Sequence, residues 1–151
     1  MTEPFRPHVG VHLIIIRDNE VLLLLRARTG FGDGFWSVPG GCLDAGETLP
    51  EGAAREAREE LGIVIDPADL TFGGVCHHAD PDGQARIGVF FAASRWAGEP
   101  ANAEPSKCDK IAWFDLDDLP DNVVTYIRTG LNAYQRGDAF SLDGWQDQRA
   151  A

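Results

Sequence analysis

The chain has 151 residues, a formal net charge of −11 and three widely spaced cysteines, a length that suits one domain around one core. Its acidity argues against a nucleic acid polymer or an anionic membrane as partner, since both call for basic surfaces, and leaves room for a small nucleotide held through a metal ion. No apolar run is long enough to span a bilayer, the N-terminus lacks a signal-peptide pattern, and Cys42, Cys76 and Cys108 fit neither a zinc site nor a disulfide framework, so a reducing cytoplasm is the expected compartment.

Residues 1–7 read as a loose arm. His8 to Ile16 is apolar and rich in β-formers, Asp18-Asn19 marks a turn, and Val21 to Leu25 returns as a second strand. Arg28 to Gly34 is a glycine-rich loop. It leads into a short strand, Phe35 to Val38, and on to Pro39-Gly40-Gly41. A helix is predicted from about Pro50 to Leu61, because Thr48 and Glu51 form a capping box, Pro50 falls in the first turn and Gly62 suits the left-handed terminal position. On that helix Leu49, Ala53, Ala57 and Leu61 make one apolar stripe, with Glu56 and Glu60 on its edge and Glu59 a little further round. Leu70 to His77 and Arg86 to Ala93 form a hairpin across Asp80-Pro81-Asp82-Gly83. His77 and His78 point to opposite faces of that strand, so at most one of them lines a pocket. Glu99 to Ser106 is a polar loop, Lys110 to Phe114 a strand and Asn122 to Gln135 a last helix. Residues 137–151 read as a flexible tail. Strands with one early and one late helix imply a single α+β domain over residues 1–151, a mixed sheet sandwiched between helices.

The early helix carries the chemistry. Gly41 is followed by Glu47, then Arg55 and Glu56, then Glu59 and Glu60, then Gly62 and Ile63. Like charges one turn apart repel, and carboxylates beside an apolar stripe lose hydration. A hard divalent cation removes both penalties, because it prefers several oxygen ligands. The spacing resembles the Nudix box, G-x5-E-x7-R-E-U-x-E-E-x-G-U with U bulky and apolar, with Ala57 standing where a larger residue is usual. That family hydrolyses pyrophosphate bonds in nucleoside diphosphates linked to another group, using Mg²⁺ or Mn²⁺, on an α/β/α sandwich. The resemblance runs from about His8 to Tyr134. It implies that Gly40 offers a main-chain carbonyl to the metal, that Glu56 and Glu60 hold it, and that Glu59 is a further ligand or the general base. It further implies that Arg55 fixes the glutamates by ion pairing and that Glu47 is an accessory acid that pairs or orients.

Two more stretches, Trp36 to Cys42 and Asn102 to Cys108, resemble a branch of small Nudix enzymes carrying W-x-L-P-G-G-H and N-x-E-P-x-K-C. MutT-like, nucleotide-pool-cleaning nucleoside triphosphate diphosphatases belong to it, and Cys42 stands where that branch usually has histidine. The implied reaction converts a nucleoside triphosphate to monophosphate and pyrophosphate. Glu104 is either a further carboxylate near the metal or a solvated loop acid. Arg26, Trp36 and Asn122 are the candidate substrate-binding residues. Arg26 sits at a strand end. Of Phe35 and Trp36, one belongs to the core and the other is free to stack on a base. Asn122 either recognises a base, as the resemblance implies, or caps the last helix. Hydrolysis of ADP-ribose or another nucleoside diphosphate sugar is the alternative within enzymes. A non-catalytic nucleotide-binding module is the alternative outside them, and the intact box glutamates speak against it. A homodimer is compatible with the sequence.

Overall fold

The computed structural model describes residues 2–145. At its centre lies β1 (His8–Arg17), whose successive side chains turn to opposite sides. Val11, Leu13 and Ile15 face one layer and Ile14 the other, all fully buried. β1 runs antiparallel to β2 (Glu20–Arg26) across a turn in which Asp18 takes φ 56°, and antiparallel to β4 (Gly40–Cys42) at its other end. Along its length it pairs in parallel with β6 (Ala85–Ala93), from His8 opposite Arg86 to Ile15 opposite Ala93. β3 (Trp36–Ser37) and β7 (Cys108–Asp115) extend the sheet from β2, and β5 (Thr71–Ala79) extends it from β6.

Each face of this mixed sheet takes one helix. α1 (Leu49–Leu61) buries Ala53, Ala57 and Leu61 against Val11, Leu13, Ile15 and Phe91. α2 (Thr125–Arg136) buries Ile127 and Leu131 against Ile14, Cys76 and Phe90. Burial of each leucine or isoleucine among these contributes about 1.5–3 kcal/mol. A Cβ on Gly130 would collide with the Phe90 ring, so that glycine lets α2 settle directly onto the sheet. The arrangement is the expected α+β sandwich. Among the described residues no helix is long and apolar enough to cross a membrane.

Two expectations are corrected. The last helix begins at Thr125, not Asn122; its cap is Val124, with no side-chain cap bond. The stretch 137–151, expected as a flexible tail, contains a further strand, β8 (Phe140–Asp143), parallel to β5. β8 escapes a hydrophobic pattern because its polarity is reversed. Phe140 and Leu142 are exposed, while Asp143 binds His78 and Thr129 of the fold. Residues 146–151 of that stretch, and Met1 of the arm, lie outside the described residues; residues 2–7 carry neither strand nor helix.

Candidate active site

α1 is held at both ends. The Thr48 hydroxyl accepts from the Glu51 amide at 3.3 Å, the Glu51 carboxylate accepts from the Thr48 amide at 3.4 Å, and Gly62, at φ 70°, donates its N–H to the Arg58 carbonyl. A helix fixed in this way presents a fixed face. Beside its apolar stripe Glu56 is only 8 % exposed.

The two glycines before the helix make close approaches to these acids. The Gly40 N–H donates to Glu60 Oε2 at 2.7 Å, and a Cβ on Gly40 would strike the Val11 carbonyl and crowd the His12 ring. A Cβ on Gly41 would run into the Glu56 carboxylate. Gly52, within the helix, likewise leaves room for Glu47, which a Cβ there would meet at 2.9 Å.

Arg55 ties the acids together. Its Nε and Nη2 donate to the two oxygens of Glu47 at 3.0 and 2.8 Å, its Nη1 to Glu56 and Glu59 at 3.0 and 3.2 Å, and its Nη2 also to the Cys42 carbonyl at 3.2 Å. This planar fork matches a carboxylate on one edge and reaches further acceptors on the other. The Arg55 hydrogen bonds, with one from the Asp44 amide, hold the Glu47 carboxyl down to about 2. Glu56 moves the other way. Burial pushes its carboxyl above the usual range despite Arg55. Glu60 is pushed up to about 8, by burial first and then by the charge of Glu56. Near neutrality it therefore keeps a proton unless a cation takes that proton's place.

The loop before β7 is fastened to the end of α1. Ala101 and Ala103 donate to the carbonyls of Leu61 and Glu60 at 3.0 and 3.1 Å, satisfying groups a helix end leaves open. Arg28 clamps the same loop by donating to the Pro105 carbonyl at 2.6 Å and to Asp109 at 2.8 Å. Glu104 is thereby brought close enough that its charge raises the carboxyls of Glu56 and Glu60.

The result is a cleft of about 510 Å³ lined by Glu56, Glu59, Glu60 and Glu104, and also by Arg26, Arg28 and Lys107. Among the described residues no three His, Cys, Asp or Glu side chains close around a single point. The donor set nevertheless suits a hard divalent cation: all four acids offer oxygen, and two of them are raised by burial and mutual repulsion that a cation relieves. A second, inner cavity of about 160 Å³ shares Arg26, Gly40, Gly41 and Cys42 with this cleft and continues past His12, Phe31, Arg86 and Tyr126.

The model of the NUDIX domain matches residues 6–132. The chain belongs to the Nudix family. An ADP-ribose pyrophosphatase of Methanocaldococcus jannaschii is 34% identical over 115 residues, 76% of this chain and 65% of that protein. An oxidized purine nucleoside triphosphate hydrolase of Danio rerio is 31% identical over 108 residues, 72% of this chain and 66% of that protein. The chain thus spans just under two thirds of the length of these curated relatives. The solved MutT NUDIX hydrolase of Burkholderia pseudomallei superposes with a TM-score of 0.78 at 33% identity, over 85% of this chain and 98% of that one.

Of the residues singled out in the Nudix box, Glu56, Glu59 and Glu60 line the cleft together with Gly40, while Arg55 and Glu47 stand behind them as a paired support. Arg26 lines both cavities, its Nε donating to the Phe31 carbonyl at 2.8 Å. Trp36 is corrected as a substrate contact. It is 7 % exposed and packs edge-on against Phe114 at 4.8 Å, so it is the core member of its pair. Asn122 is corrected as a helix cap. It does not cap α2, and its side-chain amide donates to the Gly34 carbonyl at 2.8 Å, outside the walls of both cavities. His78 lines the inner cavity, and His77 turns the other way against Trp145.

Sequence reasoning missed Arg28, Lys107, His12, Phe31, Arg86 and Tyr126 as wall residues. His12 alone left a signal, an imidazole inside an apolar strand. It is 7 % exposed, its Nδ1 has no partner, and burial, with help from Arg86 and Arg26, holds its ring down to about 4, so it is neutral. Glu104 is the most testable wall residue. Glu104→Gln is expected to lower kcat at least about tenfold, roughly 1.4 kcal/mol of barrier, with an unchanged melting temperature. Unaltered kinetics return Glu104 to a solvated loop acid.

Proposed function

We propose that the chain is a divalent-metal-dependent hydrolase of nucleotide pyrophosphate bonds, converting a nucleoside triphosphate to monophosphate and pyrophosphate in the cytoplasm, in the manner of nucleotide-pool cleaning. The observation that carries this reading is the make-up of one cleft, in which Glu56, Glu59, Glu60 and Glu104 share the space with Arg26, Arg28 and Lys107. The acids suit a cation and the bases suit phosphate oxygens. Glu56 and Glu60, with the Gly40 carbonyl, would hold Mg²⁺ or Mn²⁺, and Glu59 and Glu104 would complete the set. Bound there, the cation would supply positive charge to offset that developing on the phosphate oxygens and would make an attacking water more acidic. Lys107 and Arg26 would orient the polyphosphate, and Arg28 adds positive charge while it clamps the loop. Arg55 keeps Glu56 and Glu59 in place. Whichever of Glu59 and Glu104 is not engaged by the cation would accept the water proton as the new P–O bond forms, and the departing pyrophosphate would take the electron pair of the broken one.

The 34% identical relative carries the name ADP-ribose pyrophosphatase, which favours a nucleoside diphosphate sugar as the second reading. A non-catalytic module is disfavoured by the retention of every box glutamate. One screen separates all three. Nucleoside triphosphates, nucleoside diphosphate sugars and dinucleotides are incubated with Mg²⁺, and pyrophosphate and orthophosphate release are read directly and after phosphatase treatment. Pyrophosphate from a triphosphate supports the first reading, phosphatase-sensitive products from a sugar nucleotide the second, and no turnover of any substrate the third. EDTA is expected to abolish hydrolysis and added Mg²⁺ or Mn²⁺ to restore it; full activity in metal-free buffer sinks both enzyme readings.

A further inference from the structure

The inner cavity shares part of its wall with the cleft proposed for the polyphosphate, which gives another part of a nucleotide a place to enter. Among the described residues its wall carries the guanidinium groups of Arg26 and Arg86, the imidazoles of His8, His12 and His78 and the hydroxyls of Ser37 and Tyr126, and no aspartate, glutamate, asparagine or glutamine side chain. Arg86 is held from behind. Its Nε donates to Asp80 Oδ2 at 3.1 Å, and Asp80 Oδ1 lies 2.7 Å from Nε2 of His78, whose Nδ1 lies 2.8 Å from Asp143. The terminal nitrogens of Arg86 have no hydrogen-bond partner among the described residues, so their donors are left for a ligand.

His12 adds a polar ring edge of fixed direction. Its Nδ1 is sealed off and unpartnered. With Nδ1 closed off, Nε2 is the ring nitrogen turned towards the cavity. That atom faces Gly10 and Gly88, where an added Cβ would lie 3.1 and 3.4 Å from it, and both glycines belong to the cavity wall. Their missing side chains open the floor to a flat ligand. At the mouth, the half-exposed Phe31 ring lies 5.5 Å from the Arg26 guanidinium carbon and 5.7 Å from that of Arg86, a stacking surface next to the donors.

We infer that the inner cavity selects the base of the nucleotide by its acceptor edge, taking 6-oxopurines and 4-oxopyrimidines and rejecting the amino bases adenine and cytosine. The oxygen and ring nitrogen of a 6-oxopurine accept the two donors of an arginine fork. An amino group in the same place sets donor against donor and leaves the cavity's own donors unpaired, and a site built for hydrogen bonding discriminates most strongly in that way. The inference rests on the reading of the chain as a nucleotide hydrolase, so its test avoids hydrolysis.

Binding of IMP and AMP, which differ in the 6-oxo and 6-amino groups, is measured by isothermal titration calorimetry in EDTA. IMP is expected to bind at least about tenfold more tightly, and UMP more tightly than CMP. Arg86→Gln and Arg86→Lys are both expected to bring the IMP to AMP ratio towards one; Lys keeps the charge near Asp80 and loses only the fork. Equal affinities in the wild type, a ratio unchanged in both variants, or no binding of either monophosphate at millimolar concentration overturns the inference. Steady-state hydrolysis of ITP and ATP then separates it from the proposed function. Equal turnover of both upholds hydrolysis and overturns base selection, whereas turnover of neither removes the triphosphate reading and leaves base selection to the calorimetric ratio.

Discussion

Glu60→Gln is expected to raise the stability of the metal-free protein while lowering turnover about a hundredfold or more, since metal stabilisation of the transition state supplies several kcal/mol. The glutamine keeps an oxygen to accept the Gly40 N–H, which Glu60 receives at 2.7 Å. It removes a charge that burial and Glu56 oppose. The effect on stability has a pH signature. Burial and the charge of Glu56 push the folded-state carboxyl from its ordinary 4.5 up to about 8, so between those values the folded protein binds more protons than the unfolded chain, and wild-type stability declines as pH rises. The advantage of the variant is therefore absent below about pH 4.5, grows through neutrality and levels off above pH 8, at a size on the order of 5 kcal/mol at most. Melting curves across that range in EDTA, beside pyrophosphate release in Mg²⁺, read both halves. A variant that stays active, or one whose stability gain does not depend on pH, contradicts the role given to Glu60.

Arg55→Ala moves both quantities downward. Arg55 makes five hydrogen bonds to Glu47, Glu56, Glu59 and the Cys42 carbonyl. Without it Glu56, already pushed up by burial, is left without its countercharge. Removing one partner of a fully buried pair costs about 3–5 kcal/mol; because Glu59 is half-exposed and Arg55 retains some contact with water, about 2–4 kcal/mol is expected here. kcat/KM is expected to fall about a hundredfold, as Glu56 and Glu59 lose their orientation. Arg55→Lys recovers little, because an ammonium cannot bridge Glu47 along one edge and Glu56 along the other. Chemical denaturation and steady-state kinetics on both variants decide it, and a fully active Arg55→Lys sinks the fork argument.

These two variants separate kinds of information in the sequence. The helix that carries Glu60 and Arg55 is legible because its signals are local: Thr48 with Glu51 at one end, Gly62 at the other, and a stripe of Ala53, Ala57 and Leu61 between them. The cleft was partly legible, because Gly40, Glu56, Glu59, Glu60 and Glu104 stand in a recognisable order. The inner cavity was not. His12 and Arg86 come together only through the parallel pairing of β1 with β6, a contact between distant segments that periodicity does not encode. Trp36 and Phe35 differ by one residue and by opposite faces, and two-residue β3 gives too short a pattern to fix which one is inward. Asn122 precedes its helix closely enough to look like a cap, but Val124 takes that place and the amide instead bridges to the loop at Gly34.

The strand Phe140–Asp143 also bears on how the protein is handled in the laboratory. Asp143 grips His78 and Thr129 at once, and the Trp145 indole donates to the His77 carbonyl at 2.9 Å. The late part of the chain is thus part of the scaffolding behind the Arg86 wall. A purification tag, fluorescent fusion or surface tether belongs on the N-terminal side, where residues 2–6 are exposed and outside the sheet. Attached instead just after Asp143, the same handle would pull on the residues that back Arg86 in the inner cavity, and a survey of ligands made with it would describe the handle as much as the protein.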